Sequence, residues 1–318
     1  MVYNIVCVSD LGYVQHAAVM LCSLFENNPN YRFCIYFITD PASYKKIRTL
    51  PVLKGKTCEQ LLSALCIKYH AKLKFCPCSL EGIKDLPVGQ WTTFMYLKLF
   101  MPLVIPQSEK RCLFLDVDMI VNDDIRSLYE MDLGGSALAA TEDIPDCVQF
   151  RPRLNLKETD YYINSGVMVC DLDLWRRLYN EKDIFEFIRS IATRIQNEQD
   201  VIACYFKDRI KLLPIRWNMV TFYFMRVPKI FSKYLNDLPE AKMNPGIIHF
   251  AAPIKPWFKD CNHPYQWIYK KYCRLTAWKN YRYTIFEKLS ARKKFTKHVR
   301  FFLNRLNILK DPMFLKID

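Results

Sequence analysis

Short apolar runs alternate with helix-patterned stretches through the N-terminal part of the chain, and this alternation restricts the fold more than any other feature. Tyr3 to Val8 is a strand-like run, and Ser9-Asp10-Leu11-Gly12-Tyr13 leads from it into a helical stretch. That stretch, His16 to Glu26, places Ala18, Leu21, Cys22 and Phe25 on one face. Tyr31 to Ile38 reads as a second strand, Pro41-Ala42-Ser43 opens a second helix, and Leu73 to Cys76 is a candidate third strand. Strands linked through helices pair in parallel, because only a crossover returns the chain to the same end of a sheet. The expected architecture is therefore an α/β, Rossmann-like sheet flanked by helices. Ligands of such sheets lie beyond the carboxyl ends of the strands, so Asp10 to Tyr13 is a candidate nucleotide-binding edge.

The chain contains no GxGxxG and no P-loop, and has only eight glycines in 318 residues. A cradle of backbone amides is thus a poor candidate for holding phosphate, and another group must neutralise it. The segment Arg111-Cys-Leu-Phe-Leu-Asp-Val-Asp-Met-Ile-Val121 offers one: an apolar strand pattern broken by carboxylates at i and i+2. In a strand the period of two places Asp116 and Asp118 on one face. Their repulsion raises one pKa unless a cation lies between them. A hard divalent ion relieves that repulsion and can also bridge a diphosphate. The plainer alternative is a strand end entering a loop, with Asp118 as a cap and Asp116 paired to an arginine.

Hydrophobic residues make up 51% of the chain and charged residues 25%, which excludes a disordered protein. No apolar run approaches the ~18–20 uncharged residues of a membrane span, and the chain opens on a strand without a leader. A cytoplasmic protein is expected. Thirteen cysteines occur without a CxxC pair, and Cys7, Cys34, Cys112, Cys170 and Cys204 lie in apolar runs. They read as reduced, structural thiols rather than zinc ligands.

Positive charge is concentrated at one end. Residues 269–318 hold fourteen Lys/Arg against Glu287, Asp311 and Asp318, which accounts for eleven of the net +14. Phe295, Val299, Phe302, Leu306 and Leu309 recur there at spacings of three and four. Lys288, Arg292, Lys293, Lys294, Lys297, Arg300 and Arg305 largely occupy other positions. The pattern predicts a basic amphipathic helical tail over 263–318, peripheral on an anionic membrane surface, with attraction of about 1 kcal/mol per basic residue. A helix packed on the preceding domain is the alternative. No nucleic-acid motif is present, so no nucleic-acid partner is expected.

The run Phe114-Leu-Asp-Val-Asp-Met-Ile-Val121 resembles the DxD segment of the family 8 retaining glycosyltransferases, which have a GT-A fold. Four further stretches follow in the family's order. Tyr161-Tyr-Ile-Asn-Ser-Gly-Val-Met-Val169 resembles "YxNxG" and Glu198-Gln199-Asp200 resembles "DQD". Leu213-Pro-Ile-Arg-Trp-Asn218 resembles "LP…N", and Ile248-His-Phe-Ala-Ala-Pro-Ile-Lys-Pro-Trp257 resembles "HxxGxxKPW". The resemblance covers roughly residues 3–262, implying a GT-A catalytic domain over 1–262 with a Rossmann-like mixed sheet. The nearest likeness is to bacterial lipopolysaccharide galactosyl- and glucosyltransferases.

That resemblance implies a retaining transferase moving a hexose, galactose or glucose, from a UDP-sugar to an oligosaccharide or lipid-linked acceptor. Asp116, Asp118 and His249 would ligate Mn2+ or Mg2+. Asp10 would accept from the uracil ring and Tyr13 stack on it, while Val8 and Val117 contact uracil and ribose. Lys255 would meet the diphosphate, and Asp143, Asn164, Glu198 and Gln199 would line the sugar side. Read without the family, His249 is a core histidine, Asn164 a turn residue, Asp143 a helix cap and Glu198 a surface charge. Three departures stand out: Lys98 where an arginine contacts the donor, Glu198 for aspartate, and Ala252 for glycine. Lysine keeps the charge but loses the bidentate fork. Gln199 is a poor nucleophile, so a front-face route to retention is expected over a covalent intermediate. A glycogenin-like self-glucosylating protein and a non-catalytic nucleotide-sugar binder are the competing readings.

Overall fold

A computed structural model describes residues 2–88 and 92–286, together with Thr296, Val299, Leu303, Met313 and Phe314. The apolar runs become strands β1 (Val2–Val8), β2 (Arg32–Thr39) and β5 (Lys72–Pro77), with a small hairpin, β3 (Pro51–Leu53) and β4 (Lys56–Thr57), between the last two. β6 (Arg111–Leu115), β8 (Leu138–Glu142), β9 (Ile163–Asp171) and β10 (Ile210–Leu212) complete a seven-stranded sheet of order β10-β8-β9-β6-β1-β2-β5. Strand β9 runs antiparallel to both β6 and β8, whereas the remaining neighbours are parallel. The sheet is therefore mixed.

These strands read as unbroken apolar runs because both of their faces are covered. Ile5 and Cys7 of β1, Phe33, Ile35 and Phe37 of β2, and Leu113 and Leu115 of β6 enter one core. The alternate residues, Val6, Cys34, Tyr36, Ile38, Cys112 and Phe114, enter the other. Helix α1 (Val14–Asn27) fills the first core, and from Ala17 to Phe25 all of its residues are buried. Local chemistry sets the helix starts. Asp40 caps α2 (Pro41–Thr49) by accepting from Ala42 N–H at 2.8 Å, with Pro41 at the first position. Thr57 and Gln60 form a capping box on α3 (Cys58–Lys68).

The strand carrying the two aspartates does not run through them. β6 stops at Leu115, and β7 (Met119–Val121) belongs to a second, three-stranded sheet with β12 (Ile247–His249) and β11 (Met219–Val220). Asp116-Val117-Asp118 is the corner between the sheets, so the shared face expected from strand period arises from a bend instead. Asp116 N–H donates to Gly166 O at 2.9 Å and Phe250 N–H to Asp118 O at 3.0 Å, which fixes the corner to β9 and to the end of β12.

The apolar core extends past residue 262. Tyr265, with Ile268, Tyr269, Tyr272 and Cys273 from the helix Gln266–Cys273, joins the core around α1. Phe314 is 4% exposed; it bridges antiparallel to Met225, and Arg226 N–H donates to Met313 O at 2.9 Å. Of the apolar positions proposed for the tail helix, only Val299 is described, helical and exposed. Phe295, Phe302, Leu306, Leu309 and the seven basic residues lie outside the described residues. No described helix is long and apolar enough to cross a membrane. All thirteen cysteines are free, and burial pushes thiols such as Cys66 up to about 12.

His16 stacks on Trp257, with ring centroids 3.6 Å apart, and its Nδ1 lies 2.7 Å from Tyr269 Oη. Burial pushes both His16 and His263 down to about 3. The unfolded chain takes up these two protons below the ordinary histidine pKa of 6.5, and the folded chain does not until pH approaches 3. Their stabilisation is therefore complete above pH 6.5 and declines as the pH falls, by about 1 kcal/mol per pH unit for each ring. Replacing His16→Phe is expected to remove one ring's share of that slope between pH 6 and 4, measured by urea denaturation at a series of pH values.

Candidate active site

Three segments meet at the corner between the sheets. One oxygen each from Asp116 and Asp118 and a ring nitrogen of His249 lie within 4.8 Å of one another. His249 ends β12 opposite Met119, and its Nε2 is 3.4 Å from Asp118 Oδ1. Two carboxylate oxygens and one imidazole nitrogen suit a divalent ion such as manganese or magnesium; calcium takes six to eight oxygen ligands. The donor set therefore fits a divalent metal ion.

Two lysines reach the aspartates. Lys98, in the 3-10 segment Thr93–Phe100, is only 3% exposed. Its Nζ lies 2.7 Å from Glu198 Oε1, 3.2 Å from Ser165 Oγ, and 3.5 Å from both Asp116 Oδ1 and Ser165 O. An ammonium has three N–H donors, and these four oxygens occupy them. Burial works against its charge, but Asp116 and Glu198 outweigh burial and raise its pKa. Lys255 Nζ donates to Asp118 Oδ2 at 2.6 Å and to Phe250 O at 2.8 Å. Burial alone would push Asp118 up; Lys255 and His249 instead hold it well below the usual carboxylate range. Asp116 goes the other way, raised by burial and by Asp118 against the pull of Lys98.

Next to Lys98, Asn197 caps the helix Glu198–Tyr205, which holds Glu198 and Gln199 at its first turn. Gln199 Oε1 accepts from Ser165 N–H at 3.1 Å, and its Nε2 donates to Asp143 Oδ2 at 2.8 Å. Glu198 accepts from Ser165 Oγ at 3.0 Å in addition to its pair with Lys98. Asn164 Oδ1 accepts from Gly166 N–H at 3.1 Å. Asp200 is fully buried between Tyr162 Oη, Arg153 Nη2 and Gln196 N–H, an orienting position behind the site. Glu198 is not the exposed helix charge that its polar neighbours suggested.

At the carboxyl end of the sheet, β1 runs beside β6, so Val8 and Asp10 leave it next to the aspartate corner. Asp10 Oδ1 caps the turn Leu11–Tyr13 by accepting from Tyr13 N–H at 3.1 Å. Tyr13 is 42% exposed, with its ring edge-on to Trp257 at 5.6 Å. Val117 is buried within the corner. Ala252 has a negative φ, so alanine is unstrained there, and its N–H is already committed to Phe250 O at 2.8 Å. Four residues with no role read from the sequence join the site: Ser165, Gly166, Asn218 and Trp257. Each was visible only as a letter within a matching stretch.

A family model, Glycosyl transferase family 8, matches residues 4–261. General stress protein A of Bacillus subtilis (strain 168) is 26% identical over 287 residues, spanning 87% of this chain and 95% of that protein. The lipopolysaccharide 1,2-glucosyltransferase of Escherichia coli is 23% identical over 308 residues, spanning 93% and 85% respectively. The crystal structure of galactosyltransferase LgtC with donor and acceptor sugar analogs superposes with a TM-score of 0.69. It covers 92% of this chain and 99% of that one at 20% identity, and the likeness identifies the fold as the same.

Lys98 compensates two carboxylates in a buried setting, so removing it alone leaves uncompensated charge. Lys98→Met is expected to destabilise the fold by ~3–5 kcal/mol, and the double change Lys98→Met with Glu198→Gln to recover most of that loss. Equilibrium urea unfolding of the three proteins measures both.

Proposed function

Because the chain belongs to glycosyl transferase family 8, we propose that it is a retaining, metal-dependent hexosyltransferase using a UDP-hexose donor. The acceptor in this reading is an oligosaccharide or lipid-linked saccharide of lipopolysaccharide or a related cell-surface glycan. Similarity to the lipopolysaccharide 1,2-glucosyltransferase supports that acceptor class. The observation that carries the reading is the Asp116, Asp118 and His249 cluster beside the Asp10–Tyr13 edge.

Asp116, Asp118 and His249 would hold Mn2+ or Mg2+, which supplies neutralising charge to a diphosphate leaving group. Lys255 stands against Asp118 and adds a second cation at the same place, where negative charge grows as the glycosidic bond breaks. Tyr13 presents an open aromatic face and Asp10 a carboxylate to the nucleobase, with Val8 and Val117 beside them. Lys98 acts as the counter-charge that holds Asp116 and Glu198 in place, since its donors are already met by protein oxygens. Asp143, Asn164 and Gln199 line the sugar side.

Retention by a covalent route needs a free nucleophile. Glu198 is held by Lys98 and Ser165, and Gln199 by Ser165 N–H and Asp143. Both are engaged, which favours front-face transfer in which the leaving phosphate takes the acceptor proton. The basic stretch 288–305 is proposed to hold the enzyme on an anionic leaflet from the cytoplasmic side.

UDP release from UDP-galactose or UDP-glucose is expected to require Mn2+ or Mg2+, to vanish with EDTA and to return on adding the metal. Asp118→Asn should lower kcat by about 100-fold or more; release that ignores EDTA would sink the metal reading. Intact-mass spectrometry of enzyme with donor should show no hexosyl adduct, and an adduct on Gln199 or Glu198 would overturn the front-face route. Converting the seven basic residues between 288 and 305 to glutamine should abolish sedimentation with phosphatidylserine vesicles while leaving UDP release intact. Unchanged sedimentation would remove the membrane proposal.

A further inference from the structure

Around His249, one backbone amide fixes the orientation of every polar group in a row. Gly166 N–H can only donate, so the Asn164 atom 3.1 Å from it is the carbonyl oxygen Oδ1. The same Oδ1 receives a second hydrogen bond at 2.9 Å from Asn218, whose contributing atom must therefore be the NH2 group, Nδ2. The remaining end of the Asn218 amide is then Oδ1, an acceptor, and it lies 2.9 Å from His249 Nδ1. A neutral His249 ring must carry its proton on Nδ1 to satisfy that contact. The opposite tautomer would set two acceptors against each other at 2.9 Å, around an Asn218 side chain that is 0% exposed. The lone pair of Nε2 is left facing Asp118 Oδ1 at 3.4 Å.

We infer that Asn164 and Asn218 are positioning residues: with Gly166 N–H they form a hydrogen-bond relay that sets the His249 tautomer and turns Nε2 toward Asp116 and Asp118. Gly166 contributes twice. Its N–H starts the relay, and its missing side chain makes room for the ring, since a Cβ there would lie 2.5 Å from His249 Cε1 and 2.8 Å from Met119 Cε. Thr141 Oγ1, 3.1 Å from Asn218 Nδ2, closes the pocket on the other side. The relay also limits Asn164 itself. With Oδ1 committed twice, only Nδ2 is left, so Asn164 can donate to a sugar hydroxyl but has no acceptor to offer.

This inference rests on the proposed metal site, yet its first test needs no metal. In 15N-labelled, metal-free protein at pH 8, the His249 ring is expected to show the nitrogen pattern of an Nδ1–H tautomer, its signals assigned by their loss in His249→Gln. An Nε2–H ring would overturn the relay. Mn2+ binding, followed by loss of the free-ion electron paramagnetic resonance signal with UDP present, then reports on the residues. Asn218→Leu is expected to weaken Mn2+ binding by about 10–100-fold. Asn164→Asp, which keeps both acceptor contacts, is expected to bind Mn2+ at least as well as wild type, whereas Asn164→Leu is expected to bind it more weakly. Wild-type affinity in Asn218→Leu would overturn the inference. If wild-type protein binds no Mn2+, the metal reading falls, and the tautomer measurement still decides the relay. Should Asn218→Leu fail to fold, the spectrum of the wild-type ring gives the answer alone.

Discussion

Asp116 and Asp118 leave the end of β6 two residues apart, and the repulsion between them must be met by charge brought from distant parts of the chain. Lys98 arrives from a 3-10 segment before β6, and Lys255 from the loop after β12. His249 arrives on the second sheet. Each needs its own framework at the right height. Lys98 needs Glu198 and Ser165 to accept its remaining hydrogens, and Lys255 needs the Phe250 carbonyl. The corner itself needs Gly166 O and Phe250 N–H. Much of the architecture between β6 and residue 257 can be understood as support for one dense patch of charge. Its asymmetry follows: Asp118, nearest Lys255 and His249, stays ionised far into acid, while Asp116 is held above its usual range by burial and by its neighbour.

Sequence reasoning reached the fold through the features that are local. Both-sided burial makes β1, β2 and β6 continuous apolar runs, and Pro41-Ala42-Ser43 marks a helix start that the structure caps with Asp40. The aspartate corner was less legible, because an i, i+2 pair reads identically in a straight strand and at a bend. Nothing in Met119–Val121 distinguishes three residues of a second sheet from the continuation of the first. The burial of Lys98 was hidden for a related reason. A lysine in the apolar stretch Thr93–Phe100 does not tell what will meet its charge unless one knows that Glu198, far along the chain, will do so. Asn218 belonged to a matching stretch, yet its partners Asn164 and His249 are set by tertiary contact, which no local spacing encodes.

The Asp10–Tyr13 edge is tied to the helix Gln266–Cys273 through a stack of rings. Tyr13 meets the edge of Trp257, Trp257 lies flat on His16, and His16 bonds to Tyr269. Because burial keeps His16 neutral, the stack carries no positive charge that could compete with another cation for the aspartates. The lysine and the tryptophan of the Lys255-Pro-Trp257 stretch thus divide two tasks between electrostatics and shape. One turns toward Asp118, and the other braces the aromatic face beside Asp10.

The antiparallel bridge between Met225 and Phe314 has a consequence for the order in which the molecule can be completed. The chain is made from its amino end, so the loop bearing Met225 is synthesised well before the residues that pair with it. Until Phe314 follows, the apolar surface it covers faces water, next to the helix Gln266–Cys273 that already belongs to the core. A nascent chain that has not yet delivered Phe314 would therefore display an unfinished apolar face.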